Sequence, residues 1–111
     1  MTNERWLRWT IAKHFREKGY RINMKPVKVG KAAIDGEVIG ARWKMALETK
    51  SGHDDVVRRL GKLSEAVAHG YSSGLVVSLR YGKKLDATVF SKHNLVVLGV
   101  DSKAEVHQIY P

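Results

Sequence analysis

Two strand-like runs, residues 33–39 and 42–50, constrain the fold of this chain more than any other feature of its sequence. Gly40 and Ala41 separate the runs, and two small residues in that position favour a β-hairpin with a two-residue turn. A turn of that length fixes which residues of the two strands lie opposite each other. The hairpin therefore predicts which side chains share a face before any other element is considered.

The predicted register brings two acidic residues together on one face of the hairpin. It places Asp35 opposite Ala46 and Ala33 opposite Glu48, so the two acids are diagonal neighbours, about 7 Å apart at the backbone. Lys50 shares this face, because side chains alternate along a strand. A slip of one residue in the register would separate the two acids.

The opposite face of the hairpin is apolar and is expected to pack against a helix. It comprises Ile34, Val38, Trp43, Met45 and Leu47. Glu37 lies on the acidic face and is a second candidate for the role of Asp35, although the register pairs it with Lys44 near the turn.

The net charge is the strongest global property of the chain. Its 20 lysine and arginine residues exceed its 11 acidic residues and give a formal charge of +9. Such an excess favours a polyanionic partner, with nucleic acid ahead of an acidic membrane surface. The absence of cysteine excludes disulfides, thiolate catalysis and cysteine-ligated zinc, and the five histidines show no metal-ligand spacing.

The length and the apolar content predict a single folded domain. The chain has 111 residues, of which 43% are hydrophobic, and this suffices for one core. The first residues lack the apolar stretch of a signal peptide, and no later run approaches the roughly 20 apolar residues of a membrane span. We therefore expect a soluble, cytoplasmic protein.

The remaining segments predict an α/β fold with a central mixed sheet flanked by helices, in the order αβββαβαββ. Residues 3–18 read as a helix with Leu7, Ile11 and Phe15 on one stripe. The other predicted elements are helices at 54–69 and 85–93, strands at 20–29, 75–79, 95–100 and 105–110, and a basic loop at 80–84.

The second predicted helix has an apolar face and a charged face. Its apolar face comprises Val56, Val57, Leu60, Leu63 and Val67, and its charged face comprises Arg58, Arg59, Lys62 and Glu65. Asp54 and Asp55 suit its cap and first turn. Lys62, Ser64 and Glu65 are its candidates for a polar site residue.

Glu4 lies in the first turn of the first helix, on the same stripe as Leu7 and Ile11, because successive helical residues are about 100° apart. It is therefore expected to point inward. The helix dipole also stabilises an acid in this position, by roughly a few tenths of a kcal/mol, and that role is at least as compatible with the sequence. Trp6 and Trp9 lie off the stripe, where they would stack on bases, line a dimer interface or simply pack.

Asp35, Glu48 and Lys50 together suit a metal-dependent reaction at a phosphate group. Mg²⁺ prefers oxygen ligands and is usually bound by one or two carboxylates, with water and substrate phosphate completing its coordination. A lysine beside the carboxylates can orient an attacking water or neutralise charge that develops on the phosphate. The alternative is an ordinary ion pair between Glu48 and Lys50 on a solvated strand face.

Ile34-Asp35, followed by the hairpin and by Glu48-Thr49-Lys50, resembles the PD-(D/E)xK signature of the restriction-endonuclease-like nuclease superfamily. Ile34 stands where the nominal motif has proline. The predicted order of elements also resembles this fold. Some members, including archaeal Holliday-junction resolvases, place a glutamate in the first helix, as Glu4 is placed here.

The resemblance implies a Mg²⁺-dependent DNA endonuclease, with Mn²⁺ able to substitute. Asp35, Glu48, Glu4 and the backbone carbonyl of Thr49 would bind the metal, and Lys50 would serve the attacking water. The products would carry a 5′-phosphate and a 3′-hydroxyl. By the same resemblance, a homodimer would act on double-stranded or branched DNA in repair or recombination.

Basic residues along the chain would hold the nucleic-acid backbone. The candidates are Arg5, Arg8, His53, Arg58, Lys62, Arg80, Lys83 and Lys84. Two alternatives are compatible with the same residues. One is a non-catalytic nucleic-acid-binding module that keeps the nuclease fold, and the other is a nuclease that acts on RNA, since net charge does not separate RNA from DNA.

Overall fold

The computed structural model describes residues 3–51, 56–85 and 95–111, with only the backbone of Val56 and Val57. These residues form three helices and eight strands. The helices are α1 (Glu4–Glu17), α2 (Val56–Ala68) and α3 (Leu79–Gly82). The strands are β1 (Arg21–Asn23), β2 (Val27–Val29), β3 (Ala32–Ile34), β4 (Gly36–Ile39), β5 (Lys44–Lys50), β6 (Ser72–Ser78), β7 (Val96–Val100) and β8 (Val106–Tyr110).

Six strands form one mixed sheet in the order β1-β4-β5-β6-β7-β8. β5, β6 and β7 run parallel, and the outer neighbours pair antiparallel. β2 and β3 pair with each other in a separate two-stranded sheet. The predicted α/β architecture is confirmed. Within the described ranges, no helix has both the length and the apolar character needed to cross a bilayer.

α1 and α2 pack on opposite faces of the sheet, because successive residues of β5 and β6 belong to different apolar clusters. On the α1 face, the predicted stripe of α1 is buried against Val38, Leu47 and Val76. On the α2 face, Leu60 and Leu63 pack against residues of β3, β5 and β6. β6 is therefore buried on both faces, as its apolar sequence predicts.

The register of the hairpin differs by two residues from the predicted one. β4 and β5 pair Ile39 with Lys44 and Glu37 with Ala46, and residues 40–43 form a four-residue turn. The pairs predicted for a two-residue turn are therefore wrong. A shift of two residues nevertheless leaves the side chains of β4 and β5 on their predicted faces, because the strand period is two.

Trp43 packs within the longer turn. It lies in the turn instead of on the apolar face of the hairpin, and 41% of its surface is exposed. Its indole covers Gly40, where a Cβ atom would lie 2.5 Å from the ring, and its centroid lies 5.3 Å from that of Tyr20. The Gly40 N–H donates to the Trp43 carbonyl at 2.9 Å and closes the turn.

A bend at Asp35 divides the predicted strand at 33–39 into β3 and β4. Ile34 consequently packs on the α2 face, and its predicted place beside Val38 is wrong. β3 pairs instead with β2. The predicted strand at 20–29 is also divided, around Pro26, which has no N–H to donate to a strand ladder.

Two further differences concern the ends of elements. Val67 is 48% exposed and lies in a surface cavity with Trp43 and Lys44, so its predicted burial on α2 is wrong. Ser78 ends β6 and caps α3, where its Oγ accepts a hydrogen bond from the Tyr81 N–H at 3.2 Å. A helical turn therefore replaces the start of the predicted basic loop.

Most of the helix predicted at 85–93 lies outside the described residues, as do the predicted caps Asp54 and Asp55. The two C-terminal strands agree with the prediction as β7 and β8.

We predict that Leu63→Ala lowers the free energy of unfolding by about 2–5 kcal/mol, because Leu63 is 1% exposed and its truncation leaves a cavity between α2 and the sheet. Val67→Ala on the same helix is the control and is expected to cost less than about 1 kcal/mol. Urea denaturation followed by circular dichroism measures both. Equal losses would contradict the assignment of the two faces of α2.

Candidate functional site

Three carboxylates from different elements converge on one guanidinium group. Arg59 Nη1 lies 3.3 Å from Asp35 Oδ2 and 3.3 Å from Glu48 Oε1. Its Nη2 lies 3.1 Å from Glu4 Oε1. We refer to Glu4, Asp35 and Glu48 as the carboxylate cluster. The structure thus brings together the three acids that the sequence singled out, which lie far apart along the chain.

Backbone and side-chain hydrogen bonds hold Asp35 against the end of β5. The Asp35 N–H donates to Glu48 Oε2 at 2.7 Å. In return, the N–H and the hydroxyl of Thr49 donate to Asp35 Oδ2 at 2.9 and 3.0 Å. The two-residue shift in register is responsible, because the β4–β5 ladder ends with Gly36 opposite Leu47 and so places Asp35 beside Glu48. The acids are therefore closer than the predicted diagonal pair.

Glu4 reaches the cluster from the first turn of α1. Asn3 caps this helix, with its Oδ1 accepting from the Trp6 N–H at 2.8 Å. The Glu4 side chain points toward Arg59, and its Oε2 lies 4.0 Å from Nη1 of Arg8. The inward orientation predicted for Glu4 is what the structure shows.

Glu48 is fully buried, which is uncommon for an acid. Burial raises the pKa of its carboxyl group, and the nearby charge of Asp35 raises it further. This pKa is lowered in turn by the hydrogen bond from the Asp35 N–H and by the charges of Lys62 and Arg59. The Lys62 Nζ lies 3.7 Å from Glu48 Oε1. The ionised form of Glu48 is therefore disfavoured overall and depends on its cationic neighbours.

Arg59 is the site residue that sequence reasoning missed. The helical pattern places it on the charged face of α2, where most side chains are solvated. Burial alone would lower the pKa of Arg59, but Asp35, Glu48 and Glu4 together raise it above its ordinary value. Its spacing of three residues from Lys62 is the available signal, since both side chains then leave the same side of the helix.

Lys50 ends β5 two residues after Glu48 and pairs with Val77 of the parallel strand β6. Strand alternation puts its side chain on the same face as that of Glu48. Beyond it, a cavity of about 300 Å³ opens at the carboxyl ends of β5 and β6. The cavity is lined by Ser51, Ser78, Arg80, Tyr81 and Lys84. Two of the predicted phosphate contacts, Arg80 and Lys84, thus lie beyond the end of the strand that carries Glu48.

The other basic candidates are distributed differently. Arg5, Arg58 and Lys83 are exposed, whereas Arg8 and Lys62 lie beside acids of the cluster. His53 lies outside the described residues.

Three other polar or aromatic candidates lie away from the cluster. Glu37 accepts a hydrogen bond from the Tyr71 hydroxyl at 3.1 Å, and Glu65 accepts one from the Lys31 N–H at 3.3 Å. Trp9 is 59% exposed, with the Lys13 ammonium 5.5 Å from its ring centroid. The side chains of Glu37 and Glu65 are therefore hydrogen-bonded to residues outside the cluster.

A separate group of residues with the chemistry of metal ligands was not apparent from sequence spacing. Asp101, Glu105 and His107 offer ligand atoms that all lie within 4.8 Å of one another, next to β8. Asp101 already accepts hydrogen bonds from its own loop, and His107 Nε2 lies 2.8 Å from Asp101 Oδ2. The hydrogen bond with His107 is the main cause of a lowered pKa of Asp101. The arrangement is accounted for as a loop-closing contact.

The fold resembles that of several solved proteins at low sequence identity. SPO1766, a protein of unknown function from Silicibacter pomeroyi, matches with a TM-score of 0.73 and 16% identity over 98% of this chain and 70% of that protein. An XisH family protein from Nostoc punctiforme matches with a TM-score of 0.64 and 16% identity over 94% and 98% of the two chains. SfsA of Pyrococcus furiosus, solved in complex with Ca²⁺, matches with a TM-score of 0.55 and 16% identity.

The match to SfsA covers 94% of this chain and 59% of SfsA. No protein-family model and no curated protein matches the sequence. At these identities the comparisons establish a shared α/β fold. The carboxylate cluster is described from the contacts within this chain alone.

We predict that Glu48→Gln gains stability relative to the wild type as the pH rises from acidic to neutral. A carboxyl group whose pKa is raised by folding stabilises the protein below its unfolded pKa, and this contribution is lost as the pH rises through the folded pKa. Glutamine does not ionise, so its contribution to stability does not change with pH. Thermal melting across this pH range measures the difference, with Glu37→Gln as the baseline for the same chemical change outside the cluster. A difference that shrinks toward neutral pH would contradict the raised pKa.

Proposed function

We propose that this protein is a metal-dependent nuclease that hydrolyses phosphodiester bonds in DNA and is related to the PD-(D/E)xK nucleases. The observation that carries the proposal is the convergence of Glu4, Asp35 and Glu48 on the positively charged guanidinium of Arg59. Acids from a helix, a bend and a strand meet there, although burial and the nearby charge of Asp35 oppose the ionisation of Glu48.

The donor set fits a hard divalent cation. All three side chains offer carboxylate oxygens, and Mg²⁺ and Mn²⁺ prefer such ligands. Under the proposal, Glu4, Asp35, Glu48 and the Thr49 carbonyl hold Mg²⁺, with Mn²⁺ able to substitute. When bound, the cation would supply Lewis acidity toward the phosphate and lower the pKa of a water.

The chain's own residues supply positioning and charge. Lys50 lies on the face of Glu48 and is assigned the role of orienting the attacking water. Arg80 and Lys84, at the cavity beyond the end of β5, are assigned to the phosphate backbone. The formal charge of +9 supports association with DNA over a longer range. The Ca²⁺ bound by SfsA supports a metal site in this fold without assigning one to this chain.

The second candidate function is a non-catalytic nucleic-acid-binding module. Arg59 is the observation that favours it, because its guanidinium already neutralises the acids that would bind a metal. In that case the cluster would be a structural network of charges. The basic surface would then account for binding without cleavage.

A homodimer is also part of the proposal, because two sites would allow two DNA strands to be cut. Light scattering at working concentration should give twice the monomer mass. A monomeric mass would contradict this part alone.

We predict that Asp35→Asn and Glu48→Gln each reduce DNA cleavage by roughly 100-fold or more, because the charge stabilisation that they support is worth several kcal/mol. DNA binding should largely survive, since the basic residues are unchanged. Glu37→Gln, which alters an acid bonded to Tyr71, is the matched control and should cleave like the wild type.

The substrates should be four-way junction, flap, single-stranded and duplex DNA and duplex RNA, each with Mg²⁺ and with Mn²⁺. Faster cleavage of branched DNA than of the other substrates would support a junction-resolving role. Faster cleavage of RNA would instead support a nuclease that acts on RNA. Binding without cleavage of any substrate would contradict the nuclease and support the binding module.

A further inference from the structure

Arg59 contacts each of the three acids through one carboxylate oxygen. The guanidinium binds Asp35 Oδ2 and Glu48 Oε1 through Nη1 and Glu4 Oε1 through Nη2, at 3.1–3.3 Å. Oxygen ligands of Mg²⁺ lie about 2.0–2.1 Å from the ion. A divalent cation bound by all three of these oxygens would therefore replace the guanidinium as their partner, and the like charges of the two repel each other.

We propose that Arg59 is a built-in occupant of the cation position, which neutralises the carboxylate cluster in the metal-free protein and withdraws when the three acids bind a divalent cation. This inference rests on the proposed function, because it takes the cluster to be a metal site. It adds that the chain's own side chain competes for that site and so sets the concentration of metal that the protein requires.

The metal-free cluster needs such an occupant. Glu48 has no exposed surface, and the carboxylates of Asp35 and Glu48 repel each other at the end of β5. An unpaired buried charge is among the most costly features of a folded protein. Arg59 removes this cost, and its planar group with several donors suits contact with more than one acid.

Arg59 also has a route out of the cluster. Its side chain is 18% exposed, and it lies in the first turns of α2, so rotation about its own side-chain bonds can carry the guanidinium to solvent without moving the helix. Lys62 lies 3.7 Å from Glu48 and Arg8 lies 4.0 Å from Glu4, so other cations are close to two of the acids. The cluster then keeps part of its neutralisation while its oxygens are available.

Competition of this kind lowers the apparent affinity for metal, because binding includes the loss of the Arg59 contacts. Removal of Arg59 should raise the affinity for a divalent cation and lower the stability of the metal-free protein. An arginine that stayed in place would also weaken metal binding by repulsion, so equal affinities exclude the inference, and the position of the guanidinium at saturating metal separates the two roles.

The experiment compares Mn²⁺ binding by the wild type, Arg59→Gln and Arg16→Gln, with free Mn²⁺ measured by electron paramagnetic resonance. Arg16 is exposed in the last turn of α1, so its replacement removes the same charge away from the cluster. We expect Arg59→Gln to bind Mn²⁺ at least tenfold more tightly than the wild type, and Arg16→Gln to bind it like the wild type. An affinity of Arg59→Gln equal to or weaker than that of the wild type would overturn the inference.

A second measurement uses the wild type and does not depend on the folding of a variant. Nitrogen NMR of the arginine side chains, titrated with Mg²⁺, should show the Arg59 guanidinium signal moving to the position of exposed arginines at saturation. An unchanged Arg59 signal at saturating Mg²⁺ would overturn the inference, as would the absence of divalent-cation binding.

These readouts do not involve cleavage, so the two proposals can fail separately. Tighter Mn²⁺ binding by Arg59→Gln in a protein that cleaves nothing would support the occupant role and contradict the nuclease. Metal-dependent cleavage with equal Mn²⁺ affinities would support the nuclease and overturn the occupant role.

Discussion

The buried carboxylate of Glu48 is the interaction on which the rest of the site depends. β5 lies between β4 and β6 inside the sheet, and its side chains alternate between the faces covered by α1 and α2. A charged group in such a position must be hydrogen-bonded and paired. The Asp35 N–H, Arg59 and Lys62 meet this need, and each comes from a different point along the chain or a different turn of α2.

The bend at Asp35 serves this carboxylate directly. It ends the pairing of β4 with β5 just before Asp35, which frees the Asp35 N–H to donate to Glu48 and turns the Asp35 carboxylate toward Thr49. It also sends Ile34 to the α2 face, where it packs in the core beneath the helix that carries Arg59. The same local distortion thus positions an acid and helps to anchor the helix that neutralises it.

The carboxylate cluster shows why a site of this kind conflicts with stability. Burial of Glu48 opposes its ionisation, and the nearby charge of Asp35 adds to this effect. The same interaction raises the pKa of Arg59, because the three acids favour its charged form. A cluster with this balance requires a cation beside it, and in this structure Arg59 supplies that charge.

The sequence by itself determined the α/β class, the apolar stripe of α1, the buried strand β6 and the shared face of Glu48 and Lys50. These features follow from periodicities of 3.6 and 2, which are local properties of the chain. The period of two also explains why the faces of β4 and β5 were predicted correctly although their register was not, because the register differs by two residues. The observed register places Trp43 in the turn, where it folds over Gly40 and packs on Tyr20, a residue distant along the chain.

Only the tertiary structure decided the bend at Asp35 and the place of Arg59. On the helix alone, Arg59 belongs to a charged face that is indistinguishable from a solvated one. Its role appears only when α1, the bend and β5 bring three acids to the same point, because the energy of a charge depends on what surrounds it in space.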